Sequence, residues 1–204
     1  KGMGGAAVAM TDSAFAGANN PAVAAWAGTR LDLGLDMFMP SREMSRTGSG
    51  GFVPGASIDT SVQSDSSTFY IPEFAYNRAL SDQLGVGISV YGNGGMNTDY
   101  AGGKINCGAG PNTANALCGS GRLGIDMSQL IIAPTVAYKI NPAHSLGISP
   151  LILPQQFKAD GLQAFDNAAG FTPMTGTPGK GTGNGHDNSN GIGVRRGSLG
   201  TGGE

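Results

Sequence analysis

Hydrophobic and polar side chains alternate with a period of two along several stretches of the chain. In "LDLGLDMFM" (31–39) the odd positions are leucine or methionine, whereas two of the even positions are aspartate. "LGVGISVY" (84–91) alternates in the same way, with one apolar row, Leu84, Val86, Ile88 and Val90. Successive side chains of a β-strand point to opposite faces, so both stretches predict strands with one apolar face.

Three further segments predict strands by the same criterion: "FYIPEFAYNRAL", "GIDMSQLIIAPTVAYKI" and "HSLGISPLILPQQF". The last is the weakest, because Pro150 and Pro154 have no backbone N–H to donate within a sheet. A sixth strand starts at "GIGVRR" (191–196), and we expect it to be cut short or to diverge after Asn190. The pattern therefore predicts an all-β protein with five or six antiparallel strands.

The connections between these strands alternate between short and long. "SDQ" and "NPAHS" are short, whereas the other three connections are long and rich in Gly, Asn, Ser and Thr. Short turns at one end and long loops at the other are typical of outer-membrane β-barrels. A soluble β-sandwich also alternates, but the barrel is favoured because tyrosines lie toward the strand ends, where a membrane interface would hold them: Tyr70, Tyr76, Tyr91, Tyr100 and Tyr138.

The composition argues against nucleic-acid binding and against enzyme activity. The chain has 204 residues, of which 36 are glycine, and a net charge of −2. Glycine is therefore more than twice as frequent as the usual share of about 7%. The charge leaves no basic surface for nucleic acid. His144 and His186 are the only histidines, and no nucleophile motif such as G-x-S-x-G occurs. The sequence therefore predicts no enzyme activity, no cofactor and no metal.

Two cysteines lie in one stretch, "KINCGAGPNTANALCGSG". A disulfide between Cys107 and Cys118 would close a short loop and would indicate an oxidising compartment; two free thiols are the alternative. The chain begins with Lys1 and has no apolar signal core, so we expect that any signal peptide has been removed.

Five ordered segments resemble one known family. They are "GMGGAAVAM…SAFAGANNPA", "YIPEFAYN", "GVGISVYGNGGMNTDYAGG", "SQLIIAPTVAYKINPAHSLGIS" and "QQFKADGLQAF", between Gly2 and Phe165. Together they resemble the FadL/TodX family of outer-membrane transporters for long-chain fatty acids and aromatic hydrocarbons. The resemblance implies a transmembrane barrel of roughly fourteen strands with an N-terminal hatch in its lumen.

The resemblance also implies a division of this chain. Residues 1–28 would form the hatch, and residues 29–165 the first barrel strands with long extracellular loops. Residues 166–204 would form another long loop and a truncated or diverged sixth strand. Five or six strands cannot close such a barrel, so we expect either an N-terminal piece of a longer transporter or a chain with another role.

Candidate site residues follow from the same resemblance. Asn20, Pro21 and Ala22 match the family's NPA motif, although an ordinary turn would look the same. Hydrophobic ligands are expected to leave through a gap at a kink in the third strand. The kink is assigned to Gly92, Asn93, Gly94 and Gly95, because glycine permits a bend or bulge; the start of a loop is the alternative. Met10, Phe15 and Tyr91 are candidate ligand contacts, or else simple packing.

The sequence thus predicts an outer-membrane diffusion channel whose partners are membrane lipid and hydrophobic small molecules, such as fatty acids or aromatic hydrocarbons. The alternative is a secreted or surface β-rich structural protein that assembles through exposed strand edges. One feature disagrees with the family pattern. Arg195 and Arg196 are adjacent, so one of them would face lipid, which costs about 2–4 kcal/mol at mid-depth.

Overall fold

The computed structural model describes residues 7–48, 50, 58–107, 114–165 and 181–201. Two short helices precede the strands: α1 (Ala16–Asn19) and a 3₁₀ helix (Pro21–Ala25); a second 3₁₀ helix spans Gln163–Phe165. The strands are β1 (Arg30–Phe38), β2 (Glu43–Arg46), β3 (Thr60–Gln63), β4 (Phe69–Ala79), β5 (Leu84–Tyr100), β6 (Leu123–Asn141), β7 (His144–Asp160) and β8 (Asp187–Gly200).

Six of these strands form one antiparallel sheet in the order β1-β4-β5-β6-β7-β8. The sheet is not closed, since β1 and β8 are its two edges. The predicted antiparallel, mostly β architecture is therefore confirmed, as is the expectation that these strands do not close a barrel. Within the described ranges, no helix is long and apolar enough to cross a bilayer.

The strands differ from the predicted segments in three places. β2 and β3 pair as a small hairpin inside the first long connection, where the sequence analysis predicted only loop. β7 continues through Pro150 and Pro154 without a change of register against either neighbour, so the two prolines do not break it. β8 has 14 residues and begins before "GIGVRR", so the expectation of a short sixth strand is wrong.

The outer face of the sheet is apolar. On β6 its residues run from Leu130 to Ile140, ten steps along one strand. At about 3.3 Å per residue and a strand tilt of about 40°, this row is roughly 25 Å tall, which is the height of the apolar band of an outer-membrane barrel. The same face carries the exposed apolar side chains of the neighbouring strands: Leu31, Leu33, Leu35, Met37, Leu146, Ile148, Ile152, Ile192 and Val194.

The inner face is covered by the N-terminal segment. The 3₁₀ helix Pro21–Ala25 is buried and contacts β4, β5, β6, β7 and β8. Gly85 and Gly147 make this close approach possible, because an added Cβ would overlap the backbone of Ala24 at the first and of Pro21 at the second. The small side chains of the segment therefore let its backbone lie directly against the wall, with Trp26 packed beside its two apolar clusters.

The long connections pack together at the opposite end of the strands from the short turns. Val62, Ala116 and Leu123 are buried there against half-buried neighbours that include Met44 and Tyr100. Cys107 and Cys118 form a disulfide beside this cluster, with Cα atoms 5.7 Å apart. The loops at this end thus have a small core of their own. We call this the long-loop end of the sheet, and the other the short-turn end.

Candidate functional site

β4 and β5 pair over only part of their length. Their last paired residues toward the long-loop end are Phe74 and Val90. Contact between this part of the chain and β5 resumes at the bridge between Ser64 and Tyr100, where the Asp65 amide donates to the Asp99 carbonyl at 2.8 Å. Among the described pairings, residues 91–98 of β5 thus have a strand partner only on the β6 side. We call this interruption the lateral window.

The window coincides with an irregularity in β5. The register between β5 and β6 shifts between Gly92 and Gly94, so that Asn93 is an extra residue, as in a β-bulge. Across the window, the register of the β4–β5 pair would place Pro72 opposite Gly92, and Pro72 has no N–H to donate. Both sides of the interruption therefore disfavour regular pairing.

A groove of about 950 Å³ lies at the window. Its lining includes Met127, which shares the inner face with the buried Ala133, and Ser128 and Leu130, which belong to the outer row of β6. Because the lining includes residues of β4 and of β5 on the two sides of the interruption, the groove lies at the window. Its apolar lining residues are Phe38, Phe69, Tyr70, Ile71, Pro72, Met96, Met127, Leu130 and Pro154. The volume is within the range of small-molecule sites, about 300–1,000 Å³.

An ion-pair network closes the long-loop end of the window. Arg122 donates hydrogen bonds to the carboxylates of Asp65 and Asp99, which lie on its two sides. Hydrogen bonds to Asp99 and, secondly, to Asp65 raise the pKa of the Arg122 guanidinium above its ordinary value. Arg122 is therefore charged at any physiological pH and bridges the two chain segments at this border.

Asn20 ties the N-terminal segment to the wall. Its side-chain amide donates to the carbonyls of Val8 and Ser198, at 3.1 and 3.0 Å. Its side-chain oxygen accepts from the Ala22 amide at 3.1 Å and so caps the 3₁₀ helix. Asn20 is buried and bonds a strand of the sheet, a role that a free-standing turn would not require.

Some of the predicted site residues line the groove and others do not. Gly92, Asn93, Gly94 and Gly95 line the groove. Met10, Phe15 and Tyr91 are not among its lining residues. Tyr91 is half-buried on the inner face, where its phenol oxygen accepts hydrogen bonds from Arg195. Their assignment as ligand contacts therefore stays a prediction.

The family described as Outer membrane protein transport protein (OMPP1/FadL/TodX) matches residues 1–197 of the chain. The chain is a member of the FadL/TodX family. Membership extends past Phe165, where the resemblance in the sequence analysis ended, and includes most of β8. This is a family of outer-membrane transport proteins and not of enzymes, so the predicted outer-membrane location and the predicted absence of catalysis are confirmed.

The structure is similar to solved structures of outer-membrane transporters, and the match to TodX indicates a shared fold. The toluene transporter TodX of P. putida is 19% identical with a TM-score of 0.50, over 69% of this chain and 31% of TodX. A FadL homologue of Pseudomonas aeruginosa is 15% identical with a TM-score of 0.48, over 97% of this chain and 45% of the homologue. The chain thus spans less than half the length of these relatives. No protein of curated function matches it.

Several groove residues were not predicted as site residues. Phe38 and Phe69 have ring centroids 6.3 Å apart, and Arg42 lies over the Phe69 ring. Met127 of β6 is a further lining residue. Phe38, Phe69 and Met127 belong to predicted strands, but nothing in their spacing shows that the chain brings them together beside the glycines of β5.

Proposed function

We propose that this FadL/TodX family member forms the hatch and part of the wall of an outer-membrane channel for hydrophobic compounds, and that its ligands pass sideways through the lateral window between β4 and β5. The interruption of the β4–β5 ladder supports this proposal most directly. Regular pairing of the two strands would leave no passage in the wall, whereas the groove lies where their pairing stops.

The driving force in this proposal is transfer of apolar surface from water. Much of the groove lining is apolar, and the outer face of the same sheet carries a band of exposed apolar side chains. Each buried CH₂ group contributes about 0.8 kcal/mol. No bond is made or broken, so diffusion down a concentration gradient is sufficient. Long-chain fatty acids and aromatic hydrocarbons such as toluene, the ligand named for TodX, are the candidate cargo.

The test is to fill the window without disturbing the strand. Gly94 lines the groove, and an added Cβ would lie 3.9 Å from Oε1 of Gln129, which is ordinary contact. We expect Gly94→Val to reduce uptake of oleate and toluene several-fold in cells whose outer membrane contains the full chain. Gly193→Val is the matched control, because Gly193 lies on β8 outside the groove lining and its Cβ would contact Leu151 at 3.7 Å.

Equal uptake by the wild-type chain and Gly94→Val, at equal amounts of folded protein, would contradict passage through the window. Uptake that is reduced equally by both valine substitutions would indicate a general effect on the strands and would also contradict it.

A further inference from the structure

Arg122 joins the two sides of the lateral window at its long-loop border. It stands directly before β6, and its guanidinium reaches across the end of β5 to Asp65, on the β4 side of the window. The same guanidinium donates to Asp99 of β5. The backbone joins the two sides here through the bridge between Ser64 and Tyr100 and the 2.8 Å bond from the Asp65 amide to the Asp99 carbonyl. Arg122 therefore reinforces a short stretch of backbone pairing.

This border limits how far β4 can move away from β5. Toward the short-turn end, the two strands are held together from the pair of Phe74 and Val90 onward. At the other border, Asp65 is held beside β5, and β4 begins soon after it, at Phe69. The part of β4 that lines the window is thus attached at both ends. If the long-loop border opened, one end would be free and the width of the window would no longer be fixed.

The two carboxylates at the border depend on the cation between them. Asp65 and Asp99 both contact the Arg122 guanidinium, so they lie close to each other. Without the guanidinium, two like charges would face each other across the border and would repel. All three side chains are largely exposed, so their attraction is modest and is weakened by salt. The border should therefore respond to a single substitution and to ionic strength.

The rest of the long-loop end does not depend on Arg122. Val62 of β3 is buried with Ala116 and with Leu123 of β6, in a cluster that does not include Arg122. The disulfide beside this cluster holds the loop between β5 and β6. Loss of the Arg122 guanidinium should thus release the segment between Asp65 and β4 and leave the loops folded.

We propose that Arg122 is a positioning residue that sets the upper size limit of the cargo. Together with Asp65 and Asp99 it holds the long-loop border closed, so that narrow molecules pass through the window and broad ones do not. The inference rests on the proposed function, because it concerns the same window. It goes further in assigning a size limit to this chain and in naming the side chains that impose it.

The experiment compares a narrow with a broad aromatic hydrocarbon. Initial uptake of toluene and of pyrene, a planar molecule of fused rings, is measured in cells whose outer membrane contains the full chain. Cells without the chain are the blank. We expect the wild-type chain to take up toluene much faster than pyrene. Arg122→Gln should raise the ratio of pyrene uptake to toluene uptake about fivefold, because an exposed ion-pair network is lost.

Three further measurements separate an electrostatic effect from a loss of packing. Arg122→Lys keeps the charge and should retain part of the size limit. Arg122→Gln combined with Asp65→Asn has no repelling pair of carboxylates, so its uptake ratio should be lower than that of Arg122→Gln alone. Added NaCl should raise the ratio of the wild-type chain, relative to sucrose of equal osmolarity, but should not raise that of Arg122→Gln.

Lys158→Gln is the matched control. Lys158 also pairs with a carboxylate at the long-loop end, that of Asp160 at 2.7 Å, but it lies on β7 and outside the groove lining. Its replacement should leave the uptake ratio unchanged. Immunoblots of protease-treated outer membranes establish equal amounts of folded protein for all variants.

Three outcomes would overturn the assignment of Arg122. They are equal uptake of toluene and pyrene by the wild-type chain, an unchanged ratio in Arg122→Gln, and an equal rise of the ratio in Arg122→Gln and Lys158→Gln. In each of them toluene still enters through the chain, and the proposed transport function stands. If the folded wild-type chain takes up neither hydrocarbon above the blank, the proposed function itself is contradicted.

Discussion

Both terminal guanidinium nitrogens of Arg195 lie 3.2 Å from the phenol oxygen of Tyr91, and Nη1 also donates to the carbonyl of Ala18. Tyr91 directly precedes the glycines of the lateral window, Ala18 belongs to the N-terminal segment, and Arg195 lies on β8. One side chain thus connects three parts of the molecule. A movement of the N-terminal segment would change the contacts of the residue next to the window.

This contact can be measured by a double-mutant cycle. We expect Tyr91→Phe to lower the free energy of unfolding by about 1 kcal/mol, because Arg195 loses an acceptor in a half-buried position. In combination with Arg195→Gln, the two effects should not add, and the coupling should be about 0.5–1.5 kcal/mol. Urea unfolding of the full chain in phospholipid vesicles gives all four values.

Tyr138→Phe is the matched control for this cycle, since the exposed Tyr138 hydroxyl donates to Oε1 of the exposed Gln83 side chain at 3.3 Å. Its replacement should change stability by less than about 0.5 kcal/mol. Strict additivity of Tyr91→Phe and Arg195→Gln would show that the contact does not form in the membrane.

The close approach of the N-terminal segment to the wall predicts a strong effect at Gly147. A side chain there would overlap the backbone around Pro21 and Ala22, which cannot move without leaving the wall. We expect Gly147→Val to release the segment and to make it sensitive to protease, while the sheet still forms. Gly191→Val is the control, because its Cβ would meet only the Leu153 side chain at 3.4 Å. Equal protection of the segment in both variants would show that this packing is incorrect.

Arg196 is expected to weaken the protein in its membrane. It pairs with Ile148 and shares the outer face with Ile192 and Val194. It stands four residues from the end of β8, about 13 Å along the strand, so the cost of its charge should be below the mid-depth value. We expect Arg196→Leu to raise the free energy of unfolding by about 1–3 kcal/mol in lipid vesicles.

Arg78→Leu provides the comparison for Arg196, since Arg78 pairs with Val86 on the same face but lies one residue from the end of β4. Arg78→Leu should raise the free energy of unfolding by less than about 1 kcal/mol, because a charge near the membrane–water interface costs little. If Arg78→Leu raised the free energy of unfolding more than Arg196→Leu does, the membrane depths assigned to the two arginines would be contradicted.

The disulfide predicts that the two cysteines react differently before and after reduction, which mass spectrometry can detect. Cys107 and Cys118 should react with iodoacetamide only after reduction, because both are joined in the folded chain. The loop that they close is short, and the disulfide should contribute about 2–3 kcal/mol to the stability of the long-loop end. Cys107→Ser with Cys118→Ser should therefore increase proteolysis near Ala116, and should leave the sheet intact. Alkylation without a reductant would contradict the bond.

The sequence predicted most strands of the large sheet well, because an apolar outer row alternates with a more polar or smaller inner row in β1, β5 and β6. It did not predict β2 and β3, since four-residue strands inside a loop are too short to show a period. The sequence made β7 the weakest of the predicted strands, because Pro150 and Pro154 disfavour a strand locally. In the structure, pairing with two neighbouring strands keeps both prolines within β7. The sequence analysis began β8 four residues too late and expected it to be cut short, because "GIGVRR" and its flanks lack a continuous apolar row.

The candidate site was predicted only in part. Glycines at 92, 94 and 95, which line the groove, were singled out because glycine permits a bend or bulge in a strand. Arg42 was not, since its relation to Phe69 and Met127 depends on the way three separate segments meet, and no local spacing encodes that meeting. The hydrogen bond between Asn20 and Ser198 is a similar case, because the motif identifies the donor but not its distant acceptor.

That same bond constrains the order of folding. Asn20 and Ser198 are 178 positions apart, whereas β6 and β7 are joined by a two-residue turn and can pair locally. Loop-closure entropy makes distant contacts slow to form, so the hairpins should assemble first. The N-terminal segment, although synthesised before the strands, would then be among the last parts to reach its final position, after β8 has added to the sheet.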